Sequence, residues 1–369
     1  ITVHLQWLDA LVTFALPPKT LTMEEAQAEC ADFDNTYLYA NEGDMLEAFL
    51  DIIEDADIIS GWNSEGYDIP YTVNRVSRVL SKDDTRRFCL WRQLPKRREF
   101  EKYGKTAETF DTIGRVHMDY LELYRKYTYE ERHTYRLDAI GEMEVGENKT
   151  VYEGTLDQLY NNDFKKFIEY NRQDVALLDK IDKKLRFIDL ANEIAHDNTV
   201  LLQTTMGAVA VTEQAIINET HNRGFIAPNR KEHEGEMLHN ATTLEKKSFA
   251  AAWEGRFGTL EYEAVMDERK DISLTLDLED GTSHVLSGAE IYKLIFDSQQ
   301  PWMLSANGTI FTYEKEGIVP GLLKRWYAER KELQAKMRKA IAANNDTEIA
   351  FWDKRQLVKK INLNSLYGA

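Results

Sequence analysis

The stretch that most limits what this chain can fold into is "LLKRWYAERKELQAKMRKAIAANNDTEIAFWDKRQLVKKINLNSLYG", near its C-terminal end. Two long basic segments with apolar residues at helical spacing flank the short polar run "AANNDTE". That pattern predicts two amphipathic helices joined by a turn, with Asp346 or Thr347 as the N-cap of the second. Such helices must lay their apolar stripes on each other and on a neighbour, so residues 323–369 read as a helical hairpin docked on a larger body. The charge of the hairpin is distinctive as well. From Lys324 to Lys360 there are eleven Lys/Arg against five Asp/Glu, a net +6, whereas the whole chain carries −17. A second basic cluster, "RRFCLWRQLPKRR", spans 86–98. Basic stripes on an acidic protein fit either local grip on a phosphate backbone or ordinary solvated helix faces.

A length of 369 residues suggests two or three domains. No apolar run approaches the roughly 20 residues of a membrane span, so no membrane is expected. Two cysteines, Cys30 and Cys89, make neither a disulfide framework nor a metal-ligand spacing, and a reducing cytoplasmic setting is the simplest reading. "ITVHLQWLDALVTFAL" reads as two strands around a turn, and a start inside a strand pattern suggests truncation there. In "EGDMLEAFLDIIEDAD" (42–57), Met45, Leu46, Phe49, Leu50 and Ile53 recur with a helical period. "IIS" follows as a short buried strand, and then a turn runs into another helix. Helix and strand alternate to about residue 190, which points to an α/β domain. Residues 163–190 read as one long helix and 197–223 as a further helical stretch. The segment 255–322 is richer in Gly, with strand-like "ISLTLDL", "GTIFTY" and "GIVPG".

Candidate chemistry lies in the α/β part. Asp68 follows a glycine-containing turn in "NSEGYDIPY". Asp174 stands four residues after Tyr170 on the long helix, so the two side chains share a face. A carboxylate that holds a divalent cation, beside a phenol that orients a water, suits metal-assisted phosphodiester hydrolysis. Oxygen ligands of this kind suit Mg²⁺ or Mn²⁺. Taken alone, a Tyr/Asp pair at this spacing is also an ordinary pair of surface neighbours.

The combination is more specific. "NSEGYD" with Asn63, Tyr67 and Asp68, then "YRLDAIG" at 135–141, then "YNRQDV" with Tyr170 and Asp174, resembles the exonuclease motifs of family B DNA polymerases in order and spacing. "KKINLNSLYG" resembles the fingers motif of the same family, in the manner of replicative enzymes from T-even-type tailed phages. The resemblance implies an RNase H-like 3′→5′ exonuclease domain at 1–192 without its first strand. A helical connection at 193–240 and a partial palm at 241–322 would follow, then the fingers at 323–369. It implies that Asp68 and Asp174 are metal ligands for Mg²⁺ or Mn²⁺, that Tyr170 positions the attacking water, and that Asn63 and Tyr67 contact the single-stranded 3′ end. It assigns Arg330 and Lys360 to the incoming deoxynucleoside triphosphate, Asn364 to support of its pocket, and Tyr367 to packing beneath the nascent pair. The implied partners are primer-template DNA, deoxynucleoside triphosphates and a sliding clamp reached through a region beyond this chain, in a host-cell cytoplasm. The segment "REFEKYGKTAETFD" (98–111) is expected to be a β-hairpin tipped by Gly104; in the family such a hairpin helps move the primer end between sites.

Four departures from the family pattern bear on activity. No Asp-x-Glu strand is present; "DFD" at 32–34 lies in a polar, loop-like setting, and truncation ahead of Ile1 accounts for the gap. No Asp-x-x-Ser-Leu-Tyr-Pro motif occurs between about 240 and 265, and Tyr-Gly-Asp-Thr-Asp would fall beyond Ala369. Gln334 stands where the family commonly has Lys. The expectation is an internal fragment of a replicative polymerase, incomplete for both activities. The alternatives are a free-standing DEDD-type exonuclease and a non-catalytic DNA-binding or replisome protein.

Overall fold

Alternating residues of one strand set the layering of the N-terminal part. The computed structural model describes residues 1–102, 105–128, 130–147, 154–226, 260–277, 281–299, 301–304, 308, 310–312, 314 and 316–368. β1 (Thr2–Leu5) and β2 (Ala10–Ala15) form an antiparallel hairpin, and β3 (Thr36–Leu38) pairs parallel to β2. The intervening α1 (Met23–Glu29) opens on a capping box between Thr22 and Glu25. Val12 and Phe14 point to one face of β2, where α2 (Glu42–Ile53) and α3 (Asp68–Val79) bring Leu46, Leu50, Ile69 and Val76. Ala15 points to the other face, against Phe164 and Ile168 of α7 (Phe164–Leu185). All five apolar residues assigned from the periodicity of 42–57 are buried on α2.

β4 (Ile58–Gly61) pairs parallel with β7 (Val116–Asp119). β4 is not the buried strand expected from "IIS": Ile58 is exposed and the other residues are half-buried. Between these strands, β5 (Lys96–Lys102) and β6 (Lys105–Asp111) make the expected hairpin, in register from Lys96↔Asp111 to Lys102↔Lys105. Its tip, Gly104 included, lies outside the described residues.

α4 (Tyr120–Tyr127) and α5 (Leu137–Val145) lead through α6 (Leu156–Asn162) to α7. The helix expected over 163–190 is two helices. Arg186 adopts a left-handed conformation (φ 55°), and α8 (Phe187–Asn198) starts anew after it, so a boundary at 192 falls inside α8. The turn brings Phe187, Leu190, Ala191 and Ile194 onto the cluster formed by Tyr120, Tyr124, Ile140, Leu177 and Ile181. Burial of this apolar face outweighs the ~1–2 kcal/mol of a left-handed residue. α9 (Ala208–Asn222) follows a 3₁₀ turn.

Beyond the next described break, α10 (Leu260–Met266), the β8 (Ser273–Asp277)–β9 (Ser283–Ser287) hairpin, α11 (Gly288–Tyr292) and the β10 (Trp302–Leu304)–β11 (Ile310–Thr312) pair share a small core of Val265, Ile291 and Ile295. Residues 240–265, where the family's palm motif is expected, lie mostly outside the described residues. "GIVPG" is not strand-like: its Ile318 starts α12 (Ile318–Ala342), with Pro320 in the first turn, where its missing N–H costs nothing. α12 and α13 (Asp346–Gly368) form the expected helical hairpin. The N-cap of α13 is Asn345, not Asp346 or Thr347. Its Oδ1 accepts from the Glu348 N–H (3.2 Å) and its carbonyl from the Ile349 N–H. Leu322, Trp326 and Leu363 seat the hairpin on Ala215 of α9.

Candidate exonuclease and nucleotide sites

The turn between β4 and α3 carries Asn63, Tyr67 and Asp68, and buried side chains from elsewhere hold it rigid. Asn63 is left-handed (φ 60°), and its carbonyl accepts from the N–H groups of Gly66 and Tyr67 at 3.2 and 3.1 Å. A Cβ on Gly66 would sit 3.0 Å from Asn63 Oδ1, a tight contact that the Asn63 side chain would have to ease by a few tenths of an ångström. The buried Asp119 carboxylate accepts from the Asn63 N–H (2.9 Å), the Glu65 N–H (3.1 Å) and the Leu121 N–H (3.0 Å). Ser64 Oγ and His117 Nε2 are hydrogen-bonded at 2.8 Å, and Trp62 Nε1 donates to the Tyr135 carbonyl. Desolvation lowers the His117 pKa from 6.5 to about 4, so the ring is neutral at pH 7.

On this frame Asp68 is the first residue of α3. Its side chain keeps solvent access, yet the crowding of protein around the carboxyl raises its pKa by desolvation. The Tyr67 ring is 62% exposed and lies nearly parallel to that of Tyr71, itself 56% exposed, with centroids 5.7 Å apart. Sequence reasoning reached Tyr67 but not Tyr71, His117 or Asp119. An acid at 119 gives no local sign that it will bond a turn 54 to 56 positions away.

Tyr170 and Asp174 share α7, both half-buried and both engaged within the protein. Asp163 caps the helix through the Lys166 N–H. Arg172, between the two site residues, fixes the rotation of α7. Its Nη1 donates to Thr13 Oγ1 (3.0 Å) and Thr36 Oγ1 (3.1 Å) on β2 and β3, and its guanidinium lies over Phe33. α5 packs tightly against α7 at Gly141, where a Cβ would meet Leu177 at 2.6 Å. "DFD" supplies no ligand set; Asp32 is ion-paired to Lys165.

The structure therefore builds Asn63, Tyr67 and Asp68 into one locked turn, and Tyr170 and Asp174 into one helix. Among the described residues, the group of three side chains close enough to share a metal is elsewhere: His4, Asp9 and Asp179. Lys183 Nζ already bridges both of those aspartates at 2.8 Å, so a fixed ammonium occupies that charge.

On the hairpin, Arg330 Nε donates to Gln356 Oε1 at 3.3 Å. Lys360 and Asn364 follow Gln356 at successive turns of α13 on one stripe, with Asn364 exposed. Tyr367 lies in the last turn of α13; its side chain falls outside the described residues. Much of the basic stripe is neutralised by carboxylates folded against it. Lys354 pairs with Asp189 (2.9 Å), Arg355 with Glu193 (3.6 Å) and Lys359 with Asp197 (2.7 Å), a ladder that ties α13 to α8. Arg325 pairs with Glu219, and Lys324 with Glu316 (3.2 Å). In the cluster at 86–98, Arg86, Arg87, Arg97 and Arg98 each contact an acid.

Residues 13–140 match the model of the DNA polymerase family B exonuclease domain, and residues 259–369 match that of DNA polymerase family B. The DNA-directed DNA polymerase of Enterobacteria phage T4 is 25% identical over 81% of this chain and 33% of its own length. That of Escherichia phage RB69 is 23% identical over 88% of this chain and 36% of its own. The DNA polymerase delta catalytic subunit of Bos taurus is 24% identical over 89% and 30%. The chain thus spans about a third of the length of the curated relatives it matches. No helix among the described residues is long and apolar enough to cross a membrane. The two domain matches, in the order the motifs predicted and together over about two-thirds of the residues, place this chain in the family B DNA polymerases.

Proposed function

We propose that this chain is part of a replicative DNA-directed DNA polymerase with a 3′→5′ proofreading exonuclease. The observation that carries the reading is the succession of an exonuclease-domain match and a polymerase-domain match along one chain. In this reading residues 1–192 are the RNase H-like exonuclease, 193–240 a helical connection, 241–322 part of the palm and 323–369 the fingers.

Asp68 and Asp174 are the proposed ligands of Mg²⁺ or Mn²⁺. Their chemistry fits a hard cation: both offer carboxylate oxygens, and the protein crowded around the solvent-accessible Asp68 carboxyl raises its pKa, a shift that a bound cation would oppose. A divalent cation, when bound, supplies Lewis acidity at the scissile phosphate. Tyr170 holds the attacking water by its hydroxyl. Asn63 and Tyr67 hold the unpaired 3′ end, the exposed Tyr67 ring offering a face for a base. Arg330 and Lys360 hold the incoming triphosphate, Asn364 supports the pocket, and Tyr367 packs beneath the base pair. Primer-template DNA, deoxynucleoside triphosphates and a sliding clamp are the proposed partners, in the cytoplasm of an infected host.

A polymerase that carries this segment tests the assignment. D174A should abolish removal of a mispaired 3′ nucleotide while primer extension persists, and Y67A should weaken binding of a single-stranded 3′ end roughly tenfold. Mismatch removal unchanged by D174A would sink the exonuclease reading.

A further inference from the structure

We infer that Gln356 is a positioning residue for Arg330, one that holds the guanidinium without cancelling its charge and so keeps it available to a triphosphate. The inference rests on the proposed role of Arg330 in triphosphate binding and adds how that charge is preserved.

The hairpin treats its cations unequally. Lys324, Arg325, Lys354, Arg355 and Lys359 are paired with carboxylates, and Lys359 bridges two, Asp197 at 2.7 Å and Glu329 at 2.6 Å. Lys331 and Lys336 lie over the rings of Tyr327 and Trp352, 5.2 and 4.7 Å from the centroids. Arg330 sits amid these groups, half-buried, yet among the described residues its side-chain partner is a neutral amide.

That amide is itself oriented. Gln356 Nε2 donates to Asp353 Oδ1 at 2.9 Å, one turn earlier on α13, which turns Oε1 toward α12. There Oε1 accepts from Arg330 Nε at 3.3 Å and from Gln334 Nε2 at 3.4 Å. Two donors use both lone pairs of the oxygen, so the group is committed to this geometry. An amide carries no net charge, so this contact does not offset the charge of Arg330, while the Nε contact orients the guanidinium. Its Nη atoms are then the edge offered to phosphate oxygens, the planar fork that suits Arg to such groups. Lys360 lies one turn beyond Gln356 on the same stripe of α13, on the side of the proposed nucleotide residues. A carboxylate at 356 would do to Arg330 what Glu329 does to Lys359.

The test is titration calorimetry of the intact chain with inorganic tripolyphosphate at low ionic strength, comparing the unmodified chain with Q356E, Q356L, R330A and R330A/Q356E. Thermal melts check that all are folded; position 356 is only half-buried, and both replacements are accommodated by a helix. Q356E and R330A should each weaken binding roughly tenfold, the double variant should lose no more than R330A alone, and Q356L should fall between Q356E and the unmodified chain. Binding by Q356E equal to the unmodified chain, or losses that multiply in the double variant, would overturn the positioning role while leaving Arg330 as a triphosphate contact. Absence of binding by the unmodified chain, or an R330A variant that binds normally, would overturn the reading of Arg330 and this inference with it.

Discussion

Asp119 and Asn63 are 56 positions apart, and the carboxylate of the first fixes the backbone of the second: Asp119 Oδ1 accepts the Asn63 N–H at 2.9 Å. With Oδ2 on the Glu65 N–H and Oδ1 shared with the Leu121 N–H, one buried side chain orders the turn ahead of Asp68 and caps α4. The left-handed conformation of Asn63 persists because these bonds over-determine it.

Replacing Asp119 by Ala leaves those backbone donors without their acceptor in a buried setting. A loss on the order of 3 kcal/mol of folding stability is expected, with a smaller loss for D119N, whose amide keeps one acceptor oxygen. Urea unfolding measures it. A midpoint within error of the unmodified chain would mean that the turn stands without the carboxylate.

His117 makes stability depend on pH. Its folded pKa of about 4 lies below its ordinary 6.5, so between those values the unfolded chain binds the extra proton. Stability therefore falls as pH drops from 6.5 to 4 and the contribution levels off below, for a total of at most about 3 kcal/mol. H117Q should flatten that part of the profile, and the difference between the two proteins isolates the imidazole from carboxylates titrating in the same window. Identical profiles at pH 7.5 and 4.5 would contradict the depressed pKa.

Gly141 sets the separation of α5 and α7. G141A gains helix propensity of up to ~1 kcal/mol but places a methyl 2.6 Å from the Leu177 side chain, which is 2% exposed and enclosed by Ile140 and Ile181. The clash wins, at a net cost of roughly 1–3 kcal/mol, because the neighbour has nowhere to turn. Pairing it with L177V should recover part of the loss in a thermal melt; no recovery would place the strain elsewhere.

Local pattern made some elements readable. The buried face of α2, the β1–β2 hairpin, the β5–β6 hairpin and the α12–α13 pair follow from periodicity and turn composition. Breaks were less legible. Arg186 sits in a charged, helix-favouring run, and nothing near it signals a left-handed turn; the apolar face of α8 finding Tyr120 and Tyr124 creates it. The partners of the basic stripe were not legible either, since Lys354, Arg355 and Lys359 meet acids of α8 that lie 162 to 165 positions earlier.

The sequence by itself determined the family, because motif order along a chain is a one-dimensional property: Asn63–Asp68, Tyr170–Asp174 and Lys360–Tyr367 carry it without coordinates. The residue types proposed to hold the chemistry are also read from those motifs. Only the tertiary structure decided how those residues are supported and which cations face carboxylates. A charge in water costs little wherever it sits, but inside a fold its energy depends on what lies within a few ångströms. Asp119 beneath Asn63, Arg172 on Thr13 and Thr36, and Gln356 beside Arg330 are contacts across long stretches of chain, and spacing along the sequence does not encode them.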